Sequence, residues 1–332
     1  RVGYSETRTI NLDLSPPTRN LLTPENNSFL NEVSQNLRVT LSDATGLVNA
    51  TLYVLNATGS LIYSEVTQLY GALSATFGTI YSFPYEGIFT WFYGVEDVVG
   101  NEFNTSSFTL TIDITPPTIE FTTGTKESGL ILETENICVN VTTSHLYCIN
   151  LTFYLYDSDS HVYSHSYSDT TREVNWTVLP DETYFYNVTS TDSAGNSNST
   201  ETRNITLDNL DPVVSFGSGT KPNGALISGD TIYVNVSVTE ANEANITFYL
   251  YNATGYSIEE NTHTDKDHDI SWNLLSEGIY YYNATVIDKV GHSASTPTRS
   301  IELDDSSPQI TYGFGTKPNN TYINKDWVFI RA

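Results

Sequence analysis

One pattern constrains this chain more than any other: it repeats itself at the spacing of one small domain. The segment Arg203-Asn-Ile-Thr-Leu-Asp208 returns as Arg299-Ser-Ile-Glu-Leu-Asp304. It returns more loosely as Phe108-Thr-Leu-Thr-Ile-Asp113 and as Arg8-Thr-Ile-Asn-Leu-Asp13. Proline follows each copy, at Pro16-Pro17, Pro116-Pro117, Pro212 and Pro308. Gly-Thr-Lys then recurs, ending at Lys126, Lys221 and Lys317. Asn150-Leu-Thr-Phe-Tyr-Leu-Tyr156 matches Asn245-Ile-Thr-Phe-Tyr-Leu-Tyr251, and loosely Asn49-Ala-Thr-Leu-Tyr-Val-Leu55. Asp-x-x-Gly turns open at Asp97, Asp192 and Asp288. A fixed period of this kind marks an array of like units. It sets repeats at 15–113, 114–208 and 209–304. Residues 1–14 read as the last strand of a preceding repeat and 305–332 as the first strands of a following one. The chain therefore reads as a segment of a longer protein, with any secretion signal or anchor outside it.

Each repeat shows about seven short apolar–polar alternations with turn residues every eight to twelve positions. Successive side chains of a strand point to opposite faces, so this pattern specifies half-buried strands and an all-β sandwich. No helical periodicity holds over ten residues. The first repeat departs most. It carries Trp91 where the others have Tyr186 and Tyr282, and Phe77 where they have Trp176 and Trp272. Short linkers holding proline limit flexing. The expectation is an elongated rod advancing roughly 30–40 Å per domain, from strands of about 8–10 residues at ~3.3 Å each.

The Tyr-x-Tyr-x-Val/Ala strand, the Asp192-x-x-Gly-Asn196 turn and the Arg-x-Ile-x-Leu-Asp strand before proline resemble prokaryotic immunoglobulin-like repeats. Such repeats occur in adhesins, S-layer proteins and other surface proteins of bacteria and archaea. The resemblance covers essentially the whole chain. It implies tandem immunoglobulin-like domains and is specific for the fold rather than for a role, because the fold hosts many.

Charge narrows the partners. There are 14 basic and 39 acidic residues, a net charge of −25. Phosphate binding needs clustered Lys and Arg, so nucleic acid is disfavoured, as is an anionic lipid surface. No apolar run approaches the ~18–20 residues of a membrane span, so no membrane contact is expected within this segment. Such a surface attracts cations. Asp113, Asp208 and Asp304 end the last strands, Asp97, Asp192 and Asp288 open the preceding turns, and Asp211 stands beside a linker. These oxygens are candidate ligands for Ca²⁺ between repeats. The plainer reading is turn chemistry, in which Asp bonds its own backbone. No other cofactor is implied.

Asn-x-Ser/Thr occurs fifteen times, at Asn26, Asn49, Asn56, Asn104, Asn140, Asn150, Asn175, Asn187, Asn198, Asn204, Asn235, Asn245, Asn252, Asn283 and Asn319. Many lie on strands at the parity opposite the apolar residues: Asn235 opposes Val234 and Val236, and Asn245 opposes Ile246 and Phe248. An N-linked sugar needs such an exposed acceptor. Alternation alone also places polar filler outside, so orientation is not proof of glycosylation. Asn56 and Asn252 occupy matching Asn-Ala-Thr-Gly turns. Cys138 and Cys148 flank a turn near Thr143 and would face each other in a hairpin, as a disulfide of an oxidising exterior or as two thiols.

Catalysis finds no motif. No Gly-x-Ser-x-Gly, phosphate loop or zinc pattern is present. His161 and His165 form the one near pair of histidines and would share a strand face. Tyr249, Tyr251 and Tyr281 take outward parity. The expected role is a glycosylated extracellular scaffold at the cell surface, partnered by copies of itself in an S-layer, sheath or filament; sequon density favours an archaeon. The alternative is the stalk of an adhesin. An accessory region of a large secreted enzyme and donation of strand 1–14 to a neighbour are weaker readings.

Overall fold

The computed structural model describes residues 2–145, 147, 150–323, 325 and 327–331. Its regular structure is strand throughout; no helix occurs among the described residues. The first set comprises β1 (Thr18–Thr23), β2 (Ser28–Leu30), β3 (Ser34–Asn56), β4 (Leu61–Ser82), β5 (Gly87–Asp97), β6 (Glu102–Asn104) and β7 (Phe108–Ile112). The second comprises β8 (Thr118–Phe121), β9 (Leu130–Leu132), β10 (Ile137–Ser144), β11 (Asn150–Tyr156), β12 (Val162–Tyr167), β13 (Glu173–Trp176), β14 (Thr183–Thr191), β15 (Ser197–Ser199) and β16 (Arg203–Leu207). The third comprises β17 (Val213–Phe216), β18 (Ala225–Ile227), β19 (Ile232–Thr239), β20 (Glu243–Asn252), β21 (Ser257–His263), β22 (Asp269–Trp272), β23 (Gly278–Asp288), β24 (Ser293–Ser295) and β25 (Arg299–Leu303). Two compact units hold them: Arg1–Leu130 with Glu135–Leu207, and Ile131–Thr134 with Asp208–Ala332.

The third set shows the plan most simply. A small sheet runs β17–β19–β22, and a larger one runs β18–β25–β23–β20–β21 with β24 on β23. All ladders are antiparallel except β18 on β25, where Ala225 lies beside Ile301 and the strands run parallel. In the second set the small sheet is β13–β10–β8, and the larger contains β12–β11–β14–β16. The first set differs. Its β3 and β4 are 23 and 22 residues long and pass from one layer into the other without a break. Register shifts between Ser42 and Asn49 mark the bend, as bulges do where strands change sheets. At Gly46 the φ is 117°, and an added Cβ would lie 2.7 Å from the Gly71 carbonyl oxygen. That approach requires glycine. Here too the short second strand runs parallel to the last, Ser28 beside Leu110.

The cores follow the predicted parity. Phe248, Leu250, Tyr282 and Val286 are fully buried in the third sandwich, and Trp272 and Ile301 nearly so. Val139, Phe153, Tyr186 and Ile205 hold the second; Leu52, Phe89, Trp91 and Tyr93 hold the first. Trp91 pairs with Val54 as Tyr186 pairs with Leu155 and Tyr282 with Leu250, so these three share one place. The assignment of Phe77 is corrected. It pairs with Val39, whereas Trp176 and Trp272 pair with Ile137 and Ile232, the counterparts of Leu37. The counterpart of the tryptophans is Thr79, and the space is closed by Tyr93, whose hydroxyl donates to the Leu37 carbonyl at 2.8 Å.

The recurring motifs join in one clamp. The Thr125 hydroxyl donates to the Asn140 carbonyl at 2.8 Å and accepts the Asn140 N–H at 2.7 Å. Thr220 does the same to Asn235, at 2.7 Å both ways. The carbonyl of the following lysine accepts the core tyrosine: Tyr186 to Lys126 at 2.8 Å, Tyr282 to Lys221 at 3.1 Å. It also accepts the arginine opening the last strand, Arg203 or Arg299, at 3.0 Å. Those guanidinium groups stack over Phe121 and Phe216, 4.7 and 4.1 Å from the ring centres. Gly-Thr-Lys, the Tyr-x-Tyr strand and the Arg-x-Ile strand are thus parts of one packing device.

Three expectations change. Residues 2–14 form no strand, and neither do the described residues after Leu303; a ladder needs a partner strand, and among the described residues none pairs with either segment. β10 and β11 belong to different sheets, so these two strands do not form the expected hairpin. Cys138 is half-buried and accepts a 3.3 Å contact from the Asn140 amide; Cys148 lies outside the described residues. His161 sits in the turn before β12, bonded to Asp157 at 3.0 Å, and shares no strand face with His165.

Three substitutions test this plan by urea unfolding of the third sandwich. Phe248→Ala should lower stability by about 3–5 kcal/mol, while Thr247→Ala, on the outer face, should cost less than about 1 kcal/mol; equal losses would contradict a two-faced strand. Thr220→Val keeps the shape but takes the hydroxyl partner from the Asn235 N–H, while the Asn235 carbonyl keeps the Gly217 N–H at 2.7 Å; it should cost about 1–3 kcal/mol.

Candidate functional sites

The Asp-x-x-Gly turns are built by the aspartates themselves. Asp192 Oδ1 accepts the N–H groups of Ala194 and Asn196, both at 2.9 Å, and Oδ2 accepts the Asn196 side-chain amide at 2.9 Å. Asp97 does the same with Val99 and Asn101. Asp288 does so with Val290, Gly291 and His292. The turn chemistry weighed from sequence is therefore present at all three.

These turns also gather further ligands. Asp192 and Asp288 each meet an aspartate that follows the last strand of the repeat before, and Asp97 meets Asp13 of the strandless segment ahead of β1. The groups are Asp97 with Asp13 and Asp43, Asp192 with Asp113 and His145, and Asp288 with Asp208 and His292, each with its ligand atoms within 4.8 Å. Of the seven aspartates singled out from sequence, five enter these clusters; Asp211 and Asp304 are exposed and stand apart. Asp13 was legible as the first copy of the Leu-Asp motif. Asp43, His145 and His292 had no repeated signal, because each comes from a position that differs between repeats.

The clusters are chemically unequal. Asp97 is held below the usual carboxylate range: burial pushes it up, but the Asn101 N–H and side-chain amide outweigh that. Asp113 is pushed above it, by burial first and then by the neighbouring Asp192 charge, which the Thr115 N–H and His145 do not offset. Its Oδ2 is buried without a hydrogen-bond partner. His292 is raised; burial lowers it, and its bond to Asp288, 2.9 Å from Nδ1, together with Glu133, overcomes that. Asn196 links the second cluster to the end of the first repeat, donating to the Asp113 carbonyl at 2.7 Å.

No sequon asparagine is buried. Asn26, Asn104, Asn150, Asn175, Asn198 and Asn319 are exposed, and the remaining nine are partly exposed. Several amide nitrogens, the atoms that carry an N-linked sugar, are already donors: Asn49 to Glu96, Asn187 to Thr202, Asn198 to the Pro117 carbonyl, Asn283 to Thr298. At Asn56 and Asn252 the oxygen closes the turn, accepting Thr58 and Ser60, or Thr254 and Tyr256. Asp157 builds the same turn without a sequon. Outward tyrosines pair on the larger sheets: Tyr154 stacks with Tyr156 and Tyr249 with Tyr251, centroids 6.2 Å apart in both, and Tyr281 lies beside Tyr251. No helix among the described residues is long and apolar enough to cross a membrane.

A family model described as "Bacterial Ig-like domain" matches residues 128–209. Among solved structures, the chain is similar to the tetra-tandem repeat in the extending region of a large adhesion protein. Identity is 16%, TM-score 0.38, and coverage 87% of this chain and 74% of that one. It is also similar to the FN1–FN3 domains of chicken CNTN1, at 12% identity and TM-score 0.30, covering 87% of this chain and 99% of that one. A third similarity is to fibronectin(III)-like modules of Clostridium thermocellum CbhA, at 12% and 0.27, covering 56% and 93%. No curated protein matches.

Asn196→Ala removes both the bond to Asp113 and the one to Asp192. Thermal unfolding should show a loss of about 1–3 kcal/mol in the unit that contains them; an unchanged transition would mean that this amide does not join the two repeats.

Proposed function

We propose that this chain is a structural part of an extracellular surface protein: tandem immunoglobulin-like domains that carry N-linked sugars and hold a fixed spacing outside the cell. The observation that supports it most is what recurs. The residues shared between repeats, Thr125 and Thr220, Tyr186 and Tyr282, Arg203 and Arg299, Asp192 and Asp288, are all spent on ladders, packing and turns. Repetition that preserves only a scaffold fits a load-bearing role, with no catalytic one assigned. The net charge of −25 favours solubility and mutual repulsion of chains, which any assembly of copies has to overcome by cations or direct contacts.

Within that role the first reading is a subunit of an S-layer, sheath or filament that associates with copies of itself. The second is the stalk of an adhesin carrying a binding domain elsewhere. The stacked tyrosine pairs on the outer faces suit contact with a neighbouring chain or with sugar.

Intact glycopeptide mass spectrometry of the native protein should find glycan on Asn150 and Asn175, the exposed strand-face sequons; unmodified peptide at all fifteen sequons would remove the sugar from the proposal. Sedimentation at rising concentration separates the two readings. A scaffold subunit should assemble into sheets or filaments, and a stalk should remain a monomer.

A further inference from the structure

The cluster around His145 is short of donors. Asp113 is 4% exposed and its Oδ2 has no hydrogen-bond partner. His145 Nε2 lies 3.7 Å away, too long for a hydrogen bond. Asp192 Oδ2 lies 3.6 Å from the same nitrogen. The Thr115 carbonyl is 2.9 Å from it. Two carboxylate oxygens and a carbonyl therefore converge on a nitrogen that carries at most one proton. Asp192 Oδ2 already accepts the Asn196 amide at 2.9 Å, so directing that proton to Thr115 leaves Asp113 Oδ2 as the unanswered atom, and a buried carboxylate oxygen without a partner is strongly disfavoured.

The other two clusters do not share this deficit. Asp208 Oδ2 accepts the Asn242 amide at 2.8 Å, and Asp13 Oδ2 accepts the Thr45 hydroxyl at 2.7 Å. Only the second cluster aims a buried, unpartnered oxygen inward.

We propose that Asp113, His145 and Asp192 bind one divalent transition ion of the zinc class. His145 Nδ1 lies 3.3 Å from both the Tyr147 carbonyl and the Tyr147 N–H; in the tautomer that donates Nδ1–H to the carbonyl, which ion binding would select, Nε2 keeps its lone pair facing the carboxylates. An ion about 2.0–2.2 Å from nitrogen and oxygen ligands sets neighbouring ligands ~3.4 Å apart in a tetrahedron. The observed 3.6 and 3.7 Å are close to that spacing. The mixed set of one imidazole and two carboxylates selects a borderline ion, whereas Ca²⁺ takes six to eight oxygens. The Thr115 carbonyl is the nearest additional oxygen. Because Asp113 follows β7 and the other two ligands belong to the second repeat, the ion joins two domains of one unit. This goes beyond the scaffold reading and does not depend on it.

The test is isothermal titration of Zn²⁺ into the chelator-stripped full chain, comparing wild type, His145→Ala and Asp113→Asn. Wild type should bind one more equivalent than either variant, and X-ray absorption of the zinc-loaded protein should show one imidazole ligand that the His145 variant lacks. Asp113→Asn preserves shape and the Thr115 contact, so it decides the matter if the histidine variant fails to fold. Equal stoichiometry and affinity in all three would overturn the proposal. So would Ca²⁺ binding that His145→Ala leaves unchanged, which would mean an oxygen-only site. Absence of zinc binding, with wild-type stability falling as pH rises through the imidazole range and the variant's not, would assign the cation's place to a proton.

Discussion

A strand sends its side chains alternately to two faces, and a domain of two small sheets has room for only one of those faces inside. Everything else in this protein is arranged around that division. Val234, Val236, Phe248, Leu250 and Tyr282 lie inside, while Asn235, Thr247 and Tyr281 lie outside on the same strands. The inner set is aromatic and β-branched, which fills a sheet interior well. The outer set is Thr, Ser and Asn, and pairs such as Thr247–Thr262 and Thr285–Ser295 bond across strands. Such pairs stabilise a ladder by tenths of a kcal/mol each. The cores, at about 2 kcal/mol per fully buried large side chain, decide the fold.

The parity of every core strand was legible from the sequence, because burial and period-two alternation are local. Trp176, Trp272, Ile205 and Phe248 lie inside as their neighbours' polarity required. Register was harder. Phe77 occupies an apolar position of β4 but sits two residues along the ladder from where the tryptophans do, and only strand pairing reveals that. The hairpin expected of β10 and β11 failed for a related reason. A short gap between strands looks the same in sequence whether the chain folds back in one sheet or crosses to the other. The merger of strands into β3 and β4 rests on glycines at 46 and 71, whose effect depends on two distant backbones meeting.

The acidic residues show the same limit in the sites. Their abundance and their places near strand ends were plain, but their partners were not. Asp97 and Asp113 belong to one repeat and to two different clusters, because Asp97 reaches back to Asp13 while Asp113, after the last strand of that repeat, is met by Asp192 of the next. His145 is invisible to any repeat comparison, since Asp43 and Glu240 stand in the corresponding loops. The sequons teach the converse. Asn56 and Asn252 look like matched acceptors, and the oxygen each supplies is one that Asp157 supplies equally well.

The parallel pairing of β2 with β7, and of β18 with β25, has a mechanical consequence. The strand near the start of each of these sandwiches runs beside the strand at its end, in the same direction. Pull the two ends of such a domain apart and the strands slide lengthwise past one another, so their bonds resist together instead of opening one by one. A chain assembled this way yields late and abruptly under tension, a property that thermal or chemical denaturation does not reveal.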